Sequence, residues 1–433
     1  MSSSSTALAE RLSAEHAAAA AALPPADAAR RREALEALLA AGLPSSRDEN
    51  WKYANLRPLE KLRFSSALAS AADAPVSAAQ LPDPVPHYAR LVFVDGAFAP
   101  ELSAATTATT AQLTLGPAAA HGSRPAPVPA DERFALLNAA FATDGARIRV
   151  PSGSVGPVLL ELLFVARAES AAGAGYPRLE VQLERGANLA LIERHLSAAA
   201  AGSFVNSAVR VELAAGSSLT HYRLQQLSSR STLIDTLSAS VGAGAAYRLH
   251  AINTGAQSAR STMHVRLEGE RADLTLAVAA LGNHHQVQDA YAAVEHLAPG
   301  ARTEQIFRGI AAGRARVAFN GKIIVAASGR GTDSRQSLRG LLAGPEAEID
   351  VRPQLEIYTD EVRCSHGATA GKLDDNMLFY LLSRGLTRAS AQRLLKWAFL
   401  GDVITKIELP ALRRQIEESL VGQLQDEALR ELL

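Results

Sequence analysis

At 433 residues the chain has room for roughly two to four folding units. Hydrophobic residues make up 48% of it and charged residues 20%, proportions that exclude wholesale disorder and residence in a membrane. Lysine plus arginine equals aspartate plus glutamate, 44 against 44, so no positive excess draws the protein to nucleic acid or anionic lipid.

The alanine run 17–22 follows Glu10, Arg11 and Glu15 and is closed by Pro24 and Pro25, too short and too charged for a signal peptide. No apolar stretch approaches the ~20 residues of a membrane-spanning helix. The expected location is the cytoplasm. Residues 1–64 read as an N-terminal helical region, with Asp27 capping a helix that carries Leu35, Leu38 and Leu39 and stops at Gly42 and Pro44. Trp51 and Tyr53 follow it. Alanine, serine and proline dominate 65–86 and 103–129, so 65–132 reads as a linker-rich region. Between those stretches, Leu91 to Phe98 reads as a short hairpin turning at Asp95 and Gly96.

From about Ile148 to Ile357 the texture changes to short runs of valine, leucine and isoleucine broken by glycine turns, and the β-helix core is expected over 133–368. The turn glycines at 186, 216, 244, 269 and 300 lie 30, 28, 25 and 31 residues apart. Such a loose period fits a parallel β-helix, whose coils bury their inward residues against one another, while a β-sandwich with long strands is the plainer alternative. The fold class expected is mainly β. Residues 369–433 return to helix: Asp374 and Thr387 are caps, Gly385 is a stop, and Pro410 opens a last helix. Their apolar faces are Met377, Leu378, Leu381 and Leu382; then Ala391, Leu394, Leu395, Ala398 and Phe399; then Leu412, Ile416, Leu420 and Leu424. These faces pack on one another, with any remainder free for docking.

Chemistry concentrates in Val362-Arg-Cys-Ser-His-Gly-Ala368. On a strand, Cys364 and His366 project to the same face. A thiol beside an imidazole can bind iron or zinc, act as nucleophile and base, or simply pack. Cys364 is the only cysteine, which rules out an internal disulfide and a zinc site built on several thiolates. An iron–sulfur cluster takes about four ligands, mostly thiolates, so if this pair handles a cluster, other ligands come from elsewhere. His284 and His285 are adjacent and would face opposite sides of a strand, and His296 is distant, so a metal site there is a weak candidate. Motifs of P-loop ATPases, α/β-hydrolases and zincins are absent, and Gly329-Arg-Gly331 reads as a turn.

The run QLEIYTDEVRCSHGATAGKLDDNMLFYLLSRG, from Gln354 to Gly385, resembles the C-terminal signature of the SufD family. Asn50-Trp-Lys-Tyr53, Phe134-Ala-Leu-Leu-Asn-Ala-Ala-Phe141 with Asp144-Gly145, Phe319-Asn-Gly-Lys-Ile323 and Ala389-Ser-Ala-Gln-Arg-Leu-Leu395 extend the resemblance over most of the chain. It implies a right-handed parallel β-helix (solenoid) flanked by N- and C-terminal helical regions, acting as a non-enzymatic scaffold in iron–sulfur cluster assembly. It also implies pairing with a SufB-like protein through the β-helix and docking of a SufC-like ABC-type ATPase on the C-terminal helical domain. The resemblance leaves open a homodimer when the partner is absent. No cluster is held by the chain alone; a transient cluster or iron sits at the SufB interface, and a flavin in the complex is left open. The family role in cluster formation or iron acquisition carries over to His366, with Cys364 as its neighbour. The sister SufB family typically has glutamate and alanine after the histidine, where Gly367 and Ala368 stand here. One departure is Leu338 and Gly340 where many relatives carry asparagines after Asp333 and Gln336, which puts a polar ladder at that coil in doubt.

Two other classes compete. A β-helix polysaccharide lyase or hydrolase needs convergent acids and bases, and no carboxylate pair stands out. A cysteine hydrolase built on Cys364 and His366 lacks a visible third residue.

Overall fold

The computed structural model describes residues 3–19, 27–45, 47–67, 75–104, 111–116, 130–167, 169 and 171–424. The end of the alanine run, with Pro24 and Pro25, and most of the low-complexity stretch 103–129 lie outside the described residues.

Successive strands alternate between two sheets and pair in parallel with the strand two places on, which makes a flattened β-solenoid of about seven turns. One sheet runs through Ala89–Val94, Val158–Ala166, Asn188–Ser197, Ser218–Gln226, Ala246–Asn253, Asp273–Gly282, Arg302–Ala311 and Thr332–Leu342 to Val362–Gly371. The other runs from Gly145–Val150 through Arg178–Leu183, Phe204–Leu213, Thr232–Val241, Ser258–Leu267, Val287–His296 and Arg316–Val325 to Glu348–Ile357. Strand alternation sends every second side chain inward, and Leu191, Leu249, Leu276, Phe307, Leu237, Val265 and Phe319 meet between the sheets. The hairpin read at 91–98 is present, with Phe93 opposite Phe98, and its first strand also joins the solenoid in parallel with Val158–Ala166.

The turns explain the period. Gly186, Gly216, Gly244, Gly300 and Gly331 take positive φ, but at the fourth coil the left-handed residue is Arg271 at φ 56°, two places after Gly269. Counted on the left-handed positions, the intervals become 30, 28, 27, 29 and 31 residues. Gly269 matters for space instead: a Cβ there would lie 1.9 Å from the Ala243 nitrogen of the coil before.

Helices α1 (Ser3–Ala19), α2 (Ala28–Ala41) and α3 (Arg133–Phe141) cover the outer face of the second sheet, where Trp51, Phe64, Phe134 and Phe141 pack on Tyr176, Phe204 and Ile234. Asp27 stands at the start of α2 but caps nothing with its side chain; it pairs with Arg30 at 3.7 Å. The family-like motifs knit this cover to the coils. Asn138 donates to the carbonyls of Pro177 and Asn206, Arg260 stacks over Trp51 at 4.4 Å, and Asn320 approaches Asn50.

Helices α4 (Asp375–Ser383), α5 (Arg388–Ile404) and α6 (Pro410–Gln423) follow the solenoid, with Asp374 and Thr387 capping as expected. Leu400, Val403, Ile404, Leu412, Ile416 and Leu420 lie on Ile192, Leu224, Ile252, Ile306 and Ile310, so α5 and α6 pack mainly on the outer face of the first sheet rather than only on each other. Arg308 to Asp402 at 2.9 Å reinforces the contact. Helix α4 buries only Leu378 and leaves Met377, Phe379 and Tyr380 exposed, Phe379 by 72%.

Candidate functional site at the open end of the solenoid

Both sheets end, on their C-terminal side, in a strand with a single neighbour. Among the described residues Glu348–Ile357 pairs only with Arg316–Val325, and Val362–Gly371 only with Thr332–Leu342. The consequence is visible in burial: inward positions of earlier coils are closed over, whereas Val362–Gly371 is exposed along most of its length. Ile357 and Tyr358 stand exposed beside this end.

Cys364 and His366 both sit on that last strand. Val362 and Cys364 pack against the interior cluster, which fixes their parity as inward, and His366, two residues on, shares it at the uncovered end. Cys364 is half-buried and His366 exposed. Burial and the Asp333 carboxylate push the Cys364 thiol up, against a backbone N–H from Ser334, so the thiol stays protonated near neutral pH. That weakens it as a nucleophile or a spontaneous metal ligand.

Beneath the pair lies a polar floor. In the parallel register Ser334 is opposite Cys364 and Gln336 opposite His366; one coil further in, Thr303 is opposite Ser334 and Gln305 opposite Gln336. All four are buried. Gln336 Nε2 donates to Gln305 Oε1 at 2.6 Å and to the Gly321 carbonyl at 3.0 Å. Gly321, from the Phe319–Ile323 motif, makes room for this pair, since a Cβ there would fall 2.3 Å from Gln305 Oε1. A glutamine ladder therefore stands at the coil where the missing asparagines had put one in doubt. Ser334 Oγ, Gln336 Oε1 and Gln305 Nε2 are buried without hydrogen-bond partners.

The other histidine candidates separate cleanly. His284 and His285 are exposed in the turn before Val287–His296, not on a strand as the alternation argument supposed, and His284 holds the positive φ of that turn at 54°. His296 is a core residue bonded to Thr303 at 2.9 Å and Thr332 at 3.2 Å, its imidazole pushed down to about 4 by burial. Among the described residues no group of three or more His, Cys, Asp and Glu side chains is placed to hold a metal ion, and no helix is long and apolar enough to cross a membrane.

Sequence reasoning found Cys364 and His366 but missed Ser334, Gln305 and Gln336 as their floor. The signal was there in part: polar residues recur at 303, 305, 334 and 336, spaced by one coil, at positions where earlier coils carry Leu274 and Leu276.

The family model for the SUF system FeS cluster assembly SufBD core domain matches residues 164–399. Iron-sulfur cluster assembly protein SufD of Escherichia coli (strain K12) is 31% identical over 388 residues, 88% of this chain and 89% of that protein. An iron-sulfur cluster assembly SufBD family protein of Synechocystis sp. is 30% identical over 408 residues, 90% of this chain and 89% of that protein. A chloroplastic protein of Arabidopsis thaliana, ABCI7, is 28% identical over 250 residues, 57% of this chain and 53% of its own.

Proposed function

This chain belongs to the SufBD family of the SUF iron–sulfur cluster assembly system, and within it to the SufD family; on that premise we propose that it is a non-enzymatic scaffold subunit that pairs, end to end, with a SufB-like solenoid in the cytoplasm. The observation that carries this reading is the open coil. Two strands with unsatisfied edges invite further strands from a partner, and His366 is exposed on one of them. A partner docked there completes the interior and brings its own thiolates to His366. Iron, as cargo rather than resident cofactor, is then held transiently between the chains, with His366 as this chain's ligand or proton carrier and Cys364 in a lesser part.

The second half of the proposal concerns energy supply. The sequence has no P-loop, so nucleotide hydrolysis belongs to another chain, a SufC-like ATPase. Its docking surface is α4 with the half-exposed side of α5, where Met377, Phe379, Tyr380 and Leu394 are left over after α5 and α6 have covered the sheet.

The test is co-expression with candidate partners and purification through this chain. A three-protein complex containing a P-loop ATPase and a second solenoid is the expected result. Recovery of this chain only by itself, when both partners are present and folded, contradicts the reading.

A further inference from the structure

The helical cover over the second sheet encloses a recess. Between α1, the end of α2 and residues 52–61 lies a cavity of about 1130 Å³, with Val287 and Arg316 of the sheet in its lining. That is room enough for a small molecule, since such sites commonly measure ~300–1,000 Å³. Its α1 wall is tied down at two points. Arg11 donates to the Leu59 and Glu60 carbonyls, and Glu15, one turn on, accepts the Phe64 and Ser65 amides at 2.6 and 2.9 Å.

The lining limits what the cavity takes. Leu8, Leu39, Leu43 and Leu56 are only half-buried against the core of the cover, so their uncovered surface is aliphatic. Tyr53 is the one aromatic ring among the described lining residues, and it is already engaged by Arg316 at 5.0 Å and Lys52 at 5.6 Å from its centroid, which disfavours a stacked nucleobase or flavin. Arg316 is itself neutralised by Glu348 and Asp350. Lys52, Arg57 and Lys61 are exposed, and none has a carboxylate within ion-pair distance among the described residues; the lining supplies a single acid, Glu60, against these three cations.

We propose that this cavity binds one long-chain acyl carboxylate, its chain on the leucines and its head group on Lys52, Arg57 and Lys61. A small hydrophilic anion would match the cations and leave the leucines wet, and a neutral lipid would do the reverse; an amphipathic acid answers both. The cavity lies against the second sheet, whereas Cys364 and His366 are on the last strand of the first. The inference therefore stands or falls separately from the cluster-assembly reading.

The experiment is calorimetric titration of the full chain with palmitate, kept below the concentration at which palmitate forms micelles. One saturable site is expected. Octanoate, whose short chain covers fewer of the leucines, is expected to bind more weakly by ~10-fold or more. The double variant Arg57→Glu, Lys61→Glu changes two exposed side chains and is expected to keep the wild-type melting temperature while weakening palmitate about 10-fold. Absence of a saturable site, equal affinity for octanoate, or palmitate affinity unchanged in the double variant would each overturn the proposal. So would tight binding to phosphatidylglycerol vesicles that palmitate does not displace, which would assign the three cations to a membrane surface.

Discussion

Polar side chains enter the interior of this solenoid at several places, and two of these regions differ in how completely they are paired. In the early coils Arg223 lies between Glu193 and Asp235, with contacts of 2.7–3.0 Å, while His195 and His221 close on Glu193 at 2.6 and 3.0 Å. Burial alone would raise Glu193, but Arg223 and the two imidazoles outweigh it and hold its carboxyl well below the usual carboxylate range. At the last coil the polar floor of Ser334, Gln305 and Gln336 keeps three unpartnered atoms and opens onto Cys364 and His366. The early network pairs Glu193, Arg223 and Asp235 with one another, leaves only His195 Nδ1 unpartnered among these residues and the two histidines, and holds the structure together. An open and unsaturated one, at a sheet edge, is available to a partner.

The largest effect expected from breaking this contrast is on stability. Arg223→Met strands Asp235 in the interior and should cost about 3–5 kcal/mol in denaturant unfolding. Gln336→Leu removes two hydrogen bonds but strands no charge, and should cost about 1–2 kcal/mol. Equal costs at the two places would erase the distinction.

Acid provides the next test. His296, inside the solenoid, and His250, beneath α5 and α6 near Lys406, are both pushed from 6.5 down to about 4, in each case chiefly by burial. Both are neutral when folded and bind protons more readily once unfolded. Their contribution is therefore complete above about 6.5 and is lost as pH falls toward about 4, by at most ~3 kcal/mol for each. His296→Gln should flatten the stability profile across that window, as followed by thermal melts between pH 7 and pH 4.

Smaller effects belong to the surface. Phe379→Asp on α4 should lower capture of the ATPase about 10-fold with a nearly unchanged melting temperature, since Phe379 is 72% exposed. A loss of stability instead would place α4 in the body of the fold. The isolated chain, having one cysteine, should retain no stoichiometric cluster after anaerobic reconstitution, judged by iron and sulfide content.

Much of this was legible in the sequence because coil geometry repeats. Glycine turns and alternating apolar runs gave the solenoid, and the helix caps at Asp374 and Thr387 were placed by residue chemistry alone. Arg271 hid one turn, because a left-handed arginine carries no compositional signal while the nearby Gly269 does. The interior glutamines were hidden for another reason. Polar residues on a strand are ordinarily solvent-facing, and only the register shows that 305 and 336 point into the core beneath 366. Likewise, periodicity marked the apolar faces of α5 and α6 but could not say that they lie on the sheet and leave α4 exposed.

The central claim is that the open coil is a site rather than a frayed end, and His366→Ala tests it most directly. The variant is expressed with both partners, and the complex is compared with wild type in subunit content, melting temperature, ATPase activity and bound iron and sulfide. The account predicts an intact complex of unchanged stability that has lost its cluster, with Cys364→Ser showing a milder loss. Normal cluster content in an intact His366→Ala complex would contradict it.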